Sequence, residues 1–332
     1  MNMRRQAETS RQSVALCRQV LPTGFTLPSA ADHAWEASSM KLFDKGAIVC
    51  AIAASVLIAD AAHADPAPAT PAPDKSSYSV FNPTPDNLLR SLCTDRPTKS
   101  TGPCTVDAGR WQLESDIYNY TLARGGGVRT TTELFTNPTL KLGLTDRLDV
   151  EFNISPYERV VTDDHGVTAH ASGVSDLFLR LKYNFIGDDG GPVAIALSPY
   201  IKVPTANHNL GNGYVEAGII VPVQFNLPEN WQLLFDPEVD VLKNASGSGR
   251  HINAIALVSL SKPVSSTITL SAELWTDTNF DPQGDTTQYS ADLGVAWIPA
   301  AAPNLQLDGG VNFGLNANTP RTQIYVGISR RF

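Results

Sequence analysis

From Gly109 onward, apolar and polar side chains alternate with a period of two. Trp111, Leu113 and Ile117 are set against Gln112, Glu114 and Asp116, and Val150, Phe152 and Ile154 against Asp149, Glu151 and Asn153. Leu177, Leu179, Leu181, Tyr183 and Phe185 oppose Asp176, Arg180, Lys182 and Asn184, and 305–315 carries Gln306, Asp308 and Asn312 on its polar face. Successive residues of a strand point to opposite faces, so each stretch has one apolar and one polar side. Such stretches predict strands near 109–122, 129–144, 147–157, 174–186, 192–203, 214–227, 231–243, 250–261, 267–276, 287–298, 304–315 and 321–332.

That is twelve strands, an even number, as single-chain outer-membrane barrels have. Every second connection is tight and built from turn-forming residues: 145–146, 187–191, 228–230, 262–266 and 299–303. The other set holds the longest connections, 158–173, 204–213 and 277–286, although 124–128, 244–249 and 316–320 are short for outer loops. Short turns at one end and longer loops at the other are the pattern of a membrane-spanning, antiparallel, up-and-down β-barrel. Trp111, Tyr157, Tyr200, Trp231, Trp275 and Trp297 fall toward strand ends, where interfacial girdles sit. A soluble two-sheet sandwich also alternates, but it needs neither aromatic ends nor an export signal. The fold class expected is therefore all-β.

Composition agrees: 17% charged and 42% hydrophobic residues, with 24 Gly and 23 Pro, suit strands and turns. No run of 18 apolar residues offers a membrane helix. Thirty-three acids against 25 bases argue against a nucleic-acid partner. Lys41 and Lys45, the apolar run 46–59 and Ala62-His63-Ala64 have the order of a secretory signal, so 40–64 is expected to be removed. Translation is expected to start at Met40, which makes 1–39 an upstream extension outside the protein proper. Segment 65–91, with Pro66, Pro68, Pro71 and Pro73, reads as an extended, unpacked periplasmic linker. Segment 92–108 is a lead-in or plug, and 109–332 the barrel.

Cys17 and Cys50 fall in the removed portion; Cys93 and Cys104 remain and, in an oxidising compartment, are candidates for a disulfide rather than two free thiols. If the apolar face meets lipid, the polar face lines the lumen. It carries Glu114, Asp116, Asp149, Glu151, Asp176, Glu216, Glu238, Asp240, Glu273, Asp292 and Asp308, against fewer bases, Arg180, Lys182, Lys202 and Arg331. Charges in a narrow barrel must be paired or wet. Two readings stay open: an acidic pore favouring cations or neutral solutes, and a salt-bridge network filling a closed lumen. Asp95, Arg96 and Lys99, before the first strand, are candidates to enter the barrel as a plug and meet lumen carboxylates; the alternative is a lead-in held outside by Pro97 and Pro103.

Enzymatic constellations are missing: there is no G-x-S-x-G, H-E-x-x-H or Walker motif. A lipid-modifying barrel needs a Ser/His pair. The nearest candidates, His251 and Ser259, are eight residues apart on one strand, about 26 Å at the usual rise per residue. His251 reads instead as a loop-edge or girdle residue. Asp277, Asn279 and Asp281 open like a calcium loop, but Pro282 stands where glycine is needed and Gln288 where glutamate is, so a polar surface loop is expected, with no metal and no cofactor.

Several stretches carry a resemblance that spans about 92–332: LCTDRPTKS at 92–100, VDAGRWQLESDIYNYT, NPTLKLGLTDRLDVEFNISPY, SGVSDLFLRLKYNFIGDDGG, GNGYVEAGIIVPV and PNLQLDGGVNFGLN. Together they resemble the outer-membrane transporters of the meta-pathway phenol-degradation family. The resemblance implies a barrel and passive admission of small hydrophobic or aromatic solutes. The other readings are a closed-lumen structural or adhesin-like barrel and a lipid-modifying enzyme. Outer-membrane lipid, lipopolysaccharide, the barrel-assembly machinery and a small-molecule solute are the expected partners, and a monomer the expected state. Ile324, Val326 and Ile328 share the parity of Phe332, so the last apolar stripe ends on a terminal aromatic resembling the assembly signal of such barrels. Arg330, on the same face, is expected to snorkel into the headgroup layer.

Overall fold

Alternating residues become strands only when each backbone N–H and C=O finds a neighbour, and here they find them in a ring. A computed structural model describes residues 73–332 except position 208, and the predicted upstream extension, the signal and the first part of the linker, 65–72, lie outside the described residues. The segments are β1 (Trp111–Gly125), β2 (Val128–Thr145), β3 (Leu148–Asn153), β4 (Glu158–Asp164), β5 (Val167–Gly173), β6 (Leu177–Ile186), β7 (Val193–Val203) and β8 (Glu216–Ile220). There follow β9 (Val223–Asn226), β10 (Gln232–Phe235), β11 (Glu238–Lys243), β12 (Arg250–Pro263), β13 (Ile268–Asn279), β14 (Thr286–Trp297), β15 (Leu305–Gly314) and β16 (Thr322–Arg331).

Four consecutive pairs, β3/β4, β5/β6, β8/β9 and β10/β11, each make one interrupted strand, because both members pair with the same neighbouring strand. Pro156, Pro222 and Pro237 sit in three of the interruptions, where a residue without an N–H cannot serve the ladder. The result is a closed antiparallel barrel of twelve strands, sealed by β1 against both β2 and β16. Closure removes the edges of the spanning strands, which a chain in lipid requires, while β5 pairs with β4 alone.

The two faces are inverted relative to a water-soluble fold. Phe152, Leu181, Tyr183, Val241, Ile252, Leu274, Leu293, Val295 and Ile324 are exposed on the outside, while Gln112, Glu114, Asp149, Glu151, Lys182, Asp240 and Asp292 are buried within. In β1 a bulge between Asp116 and Tyr118 turns Ile117 outward and shifts the parity, so Asn119 and Thr121 continue the lumen face begun by Glu114 and Asp116. The seam ends with the Phe332 N–H donating to the carbonyl of Trp111 (2.8 Å), and the Arg330 guanidinium lies 5.0 Å from the centre of the Phe332 ring.

Four expectations need correction. Segment 158–173 is not a loop: β4 and β5 form a hairpin turning at His165-Gly166, because the alternation continues past the break at 154–157. Asp277 and Asn279 belong to β13, paired with Gln288 and Thr286, so the stretch is a ladder and not the surface loop expected. Tyr200 and Trp275 are not girdle residues; both are buried on the lumen side, in register with Lys202 and Glu273, whereas Trp111, Tyr157 and Trp297 do face outward. The linker expectation fails for its described part, since Lys75 and Thr84 are buried and the Lys75 ammonium is 2.6 Å from Asp189.

Candidate functional site

The lumen is occupied by the segment before β1. Cys93 and Cys104 are joined by a disulfide, Cα atoms 6.5 Å apart, and the loop between them runs inside the barrel wall. It enters from the end that holds both termini of the barrel, the periplasmic end in this architecture. Ten residues bracketed by a staple form a hairpin narrow enough to enter, and polar enough to meet a polar wall.

Arg96 makes the central contact. Its Nη1 donates to Asp116 (2.6 Å), while Nη2 and Nε donate to Asp308 (2.7 and 3.1 Å). The wall explains the fit: Gly327 is the register partner of both Asp116 and Asp308, so a residue with no side chain lies between the two carboxylates, and the guanidinium rests over it. Burial opposes the Arg96 charge, but Asp116 and Asp308 overcome it and raise its pKa above the ordinary arginine value.

Lys99 reaches another sector. Its ammonium lies 2.9 Å from Asp292, hydrogen-bonds Ser290 and stands 4.4 Å over the Trp275 ring, and its backbone N–H donates to Glu273 (2.8 Å). Asp95 bonds the opposite wall, accepting from Lys141 (2.7 Å) and Lys182 (2.9 Å), with its own N–H donating to Glu114 (3.1 Å). Burial pushes the Asp95 carboxyl up; the two ammoniums reverse this and hold it well below the usual carboxylate range. The Thr101 N–H donates to Asp236 (2.7 Å) and that of Val106 to Asp149 (2.9 Å), and Asn184 donates to the Pro103 carbonyl (2.9 Å). Charge-assisted bonds to six separate strands hold the loop.

A second ionic group closes the periplasmic rim. Arg90 pairs with Asp146 (2.5 Å), Asp189 (2.9 Å) and Asp188 (3.4 Å); Lys75 pairs with Asp189 and Arg331 with Asp107 (3.1 Å). Burial raises the Asp188 carboxyl despite Arg90. In Asp189 the opposite balance holds: burial is outweighed by hydrogen bonds from Lys75 and Arg90, and the pKa falls.

The predicted lumen residues are all inside, sorted into groups. Glu151 lies 3.2 Å from Lys182 and 3.6 Å from Arg180, with Asp149 on the same strand. Nearer the far end, Lys202 stands between Glu216 (2.5 Å) and Asp176 (3.5 Å), apart from the plug contacts. Asp240 accepts from the Tyr200 hydroxyl (2.8 Å) and Asn253 (3.1 Å), and Glu238 is buried two residues before it. His251 faces inward, 3.0 Å from Asn244 and 3.6 Å from Asp281, which excludes it from a girdle. Sequence reasoning missed Lys141, flagged by the apolar Leu140 and Leu142 on either side, and the rim residues Lys75, Arg90, Asp146, Asp188 and Asp189, which no periodicity marks.

The lumen also has apolar wall. Phe178, Tyr200 and Ile220 form one buried cluster, and Ile255, Leu257 and Trp275 another. The Tyr200 ring crosses Gly218 to reach Asp240, and a side chain at Gly218 would strike the ring. Among the described residues no group of three or more His, Cys, Asp or Glu is placed to hold a metal ion.

A family model described as "Putative MetA-pathway of phenol degradation" matches residues 94–332. No curated protein matches the sequence. Of solved structures, an outer membrane channel from Pseudomonas putida F1 superposes with a TM-score of 0.57 at 17% identity, covering 72% of this chain and 100% of that one. The NanC porin gives 0.42 at 10% identity, covering 67% of this chain and 98% of the porin. The first of these shows a shared fold, and the second carries no argument.

Proposed function

The chain belongs to the family described as the putative MetA-pathway of phenol degradation, and from that membership we propose an outer-membrane channel that passively admits small hydrophobic or aromatic solutes. The observation that carries the reading is that the lumen is filled by a separable segment. The side chains of Asp95, Arg96 and Lys99 and the loop's own backbone N–H groups bond to side chains of the wall, and the twelve-strand ring closes without the loop. Phe178, Tyr200, Ile220, Leu257 and Trp275 supply an apolar wall that a uniformly charged pore would lack, and an aromatic solute would find π-faces there once the loop withdrew. Transport is diffusion through the lumen or through a lateral gap at the interrupted strands, with no chemistry and no cofactor. Export by a signal at 40–64, insertion by the barrel-assembly machinery reading Phe332, and a monomeric state complete the proposal.

The second reading, a permanently closed structural barrel, draws on the complete burial of Asp149, Glu151, Asp236 and Asp240. The double substitution Arg96→Ala/Lys99→Ala separates the two in planar bilayers. The channel reading expects a larger stepwise current, and faster entry of phenol into liposomes, than the parent protein gives. Unchanged conductance together with unchanged stability would sink it.

A further inference from the structure

Two hairpins at the end remote from the termini set like charges directly opposite each other. In β1–β2, Arg124 is the register partner of Arg129; in β11–β12, Lys243 is the partner of Arg250. Cross-strand neighbours of the same sign repel, and each pair costs stability in the bare protein. All four are on the outward parity: Thr121 and Thr130 flank the first pair as buried lumen residues, and Leu242 and His251 the second. Arg124, Arg129 and Arg250 are exposed.

Their height is set by what precedes them. Arg250 is two residues beyond Ile252, and Lys243 two beyond Val241, both of which are exposed apolar residues of the outer belt. The first pair stands higher, because Thr131 and Glu133 lie on the outward face of β2 between Arg129 and the exposed Phe135. One outward step along a strand is about 7 Å, so Lys243 and Arg250 sit where hydrocarbon gives way to headgroups. The Lys243 ammonium also lies 4.7 Å over the half-exposed ring of Tyr214, an interfacial aromatic platform. The first pair is compensated within the protein: Arg129 has the Asp163 carboxylate as its register partner on the other side, and Glu133, lower on β2, is engaged by Arg159 (3.2 Å) and the Tyr118 hydroxyl (2.7 Å).

We propose that Lys243 and Arg250 form a clamp for a phosphate group of the outer-leaflet glycolipid. Two cations side by side cancel their repulsion by sharing one anion, and a phosphate at headgroup height is the anion that surface offers. This rests on the outer-membrane placement proposed above.

The test is the folded full-length protein in detergent micelles, titrated with bis-phosphorylated lipid A, with dephosphorylated lipid A and with inorganic phosphate, read by thermal melting and native mass spectrometry. The parent protein is expected to bind the phosphorylated lipid and melt later with it, and not with the other two. A basic residue at an anionic surface contributes about 1 kcal/mol, so each charge removed costs about fivefold in affinity. Lys243→Gln/Arg250→Gln is expected to weaken binding by more than tenfold, yet to melt no earlier than the parent without lipid, because repulsion is relieved, whereas Arg124→Gln/Arg129→Gln is expected to bind as the parent does. Equal binding by the parent and Lys243→Gln/Arg250→Gln, or equal stabilisation by dephosphorylated lipid A or inorganic phosphate, overturns the clamp while leaving the barrel intact. A chain that does not fold in micelles or lipid at all sinks the membrane placement and the clamp with it.

Discussion

Adding one methyl group to the wall should release the plug. Gly327 faces the lumen between Asp116 and Asp308, and a Cβ built there falls 2.6 Å from Nε of Arg96 and nearer still to Cζ and Nη2. A carbon–nitrogen contact needs more than 3 Å, so Gly327→Ala must push the guanidinium off a position fixed by bonds of 2.6 and 2.7 Å to the two carboxylates. β16 itself gains from the change, since glycine is the weaker strand residue. The loss therefore falls on the ion pairs. Breaking a buried pair while leaving its partners buried costs about 3–5 kcal/mol. Two assays read it: single-channel current, which should rise, and protease cutting within 93–104, which should speed up. A double-mutant cycle with Arg96→Ala decides the cause. If the clash is with Arg96, the two changes together do no more than Arg96→Ala alone; additive effects, or a Gly327→Ala channel indistinguishable from the parent, would refute the reasoning.

Two further outcomes are expected. Replacing Cys93 and Cys104 by serine, or reducing the disulfide, frees a loop of ten residues and removes about 3 kcal/mol of chain-entropy stabilisation; the melting midpoint should fall and current rise, and a reduced channel with unaltered melting and current would count against the staple. Asp95, held below the ordinary carboxylate range by Lys141 and Lys182, contributes stability that is fully present above its unfolded pKa of about 3.9 and is lost as pH falls further. The loss begins at about pH 4 and grows toward the depressed folded pKa, so the parent channel should open only in strongly acid solution, while Asp95→Asn should leak at neutral pH and respond less to acid; parallel pH profiles for the two would exclude Asp95 as an anchor.

Much of the barrel is written in the alternation, because a strand with one face in lipid and one in a polar lumen has no other solution. Strands β12 and β14 to β16 read to within two residues for this reason. The misreadings came where the chain leaves strict period two. The bulge at Ile117 shifts parity inside β1, and the breaks before β4 and after β5 made a continuing hairpin look like a loop. Trp275 and Tyr200 were placed by residue type and position along the strand, yet parity alone puts them inside with Glu273 and Lys202. Parity is set by the covalent geometry of the strand, while a girdle is only a tendency, so parity wins.

Alternation says which residues face the lumen and nothing about which of them meet. Arg96 and Asp308 are 212 residues apart, and they touch only because the register brings Asp116, Gly327 and Asp308 to one height. What could be argued from sequence was the imbalance: eleven lumen acids were counted against four bases on the wall, and buried carboxylates need cations from somewhere. The barrel gains Lys141 from its own wall and takes Arg96 and Lys99 from the segment before β1. A wall that balanced its own charge would be closed for good. A wall that borrows its cations from a tethered loop is occluded while the loop is bound, and on the proposed channel reading its withdrawal would leave a hydrated acidic lumen.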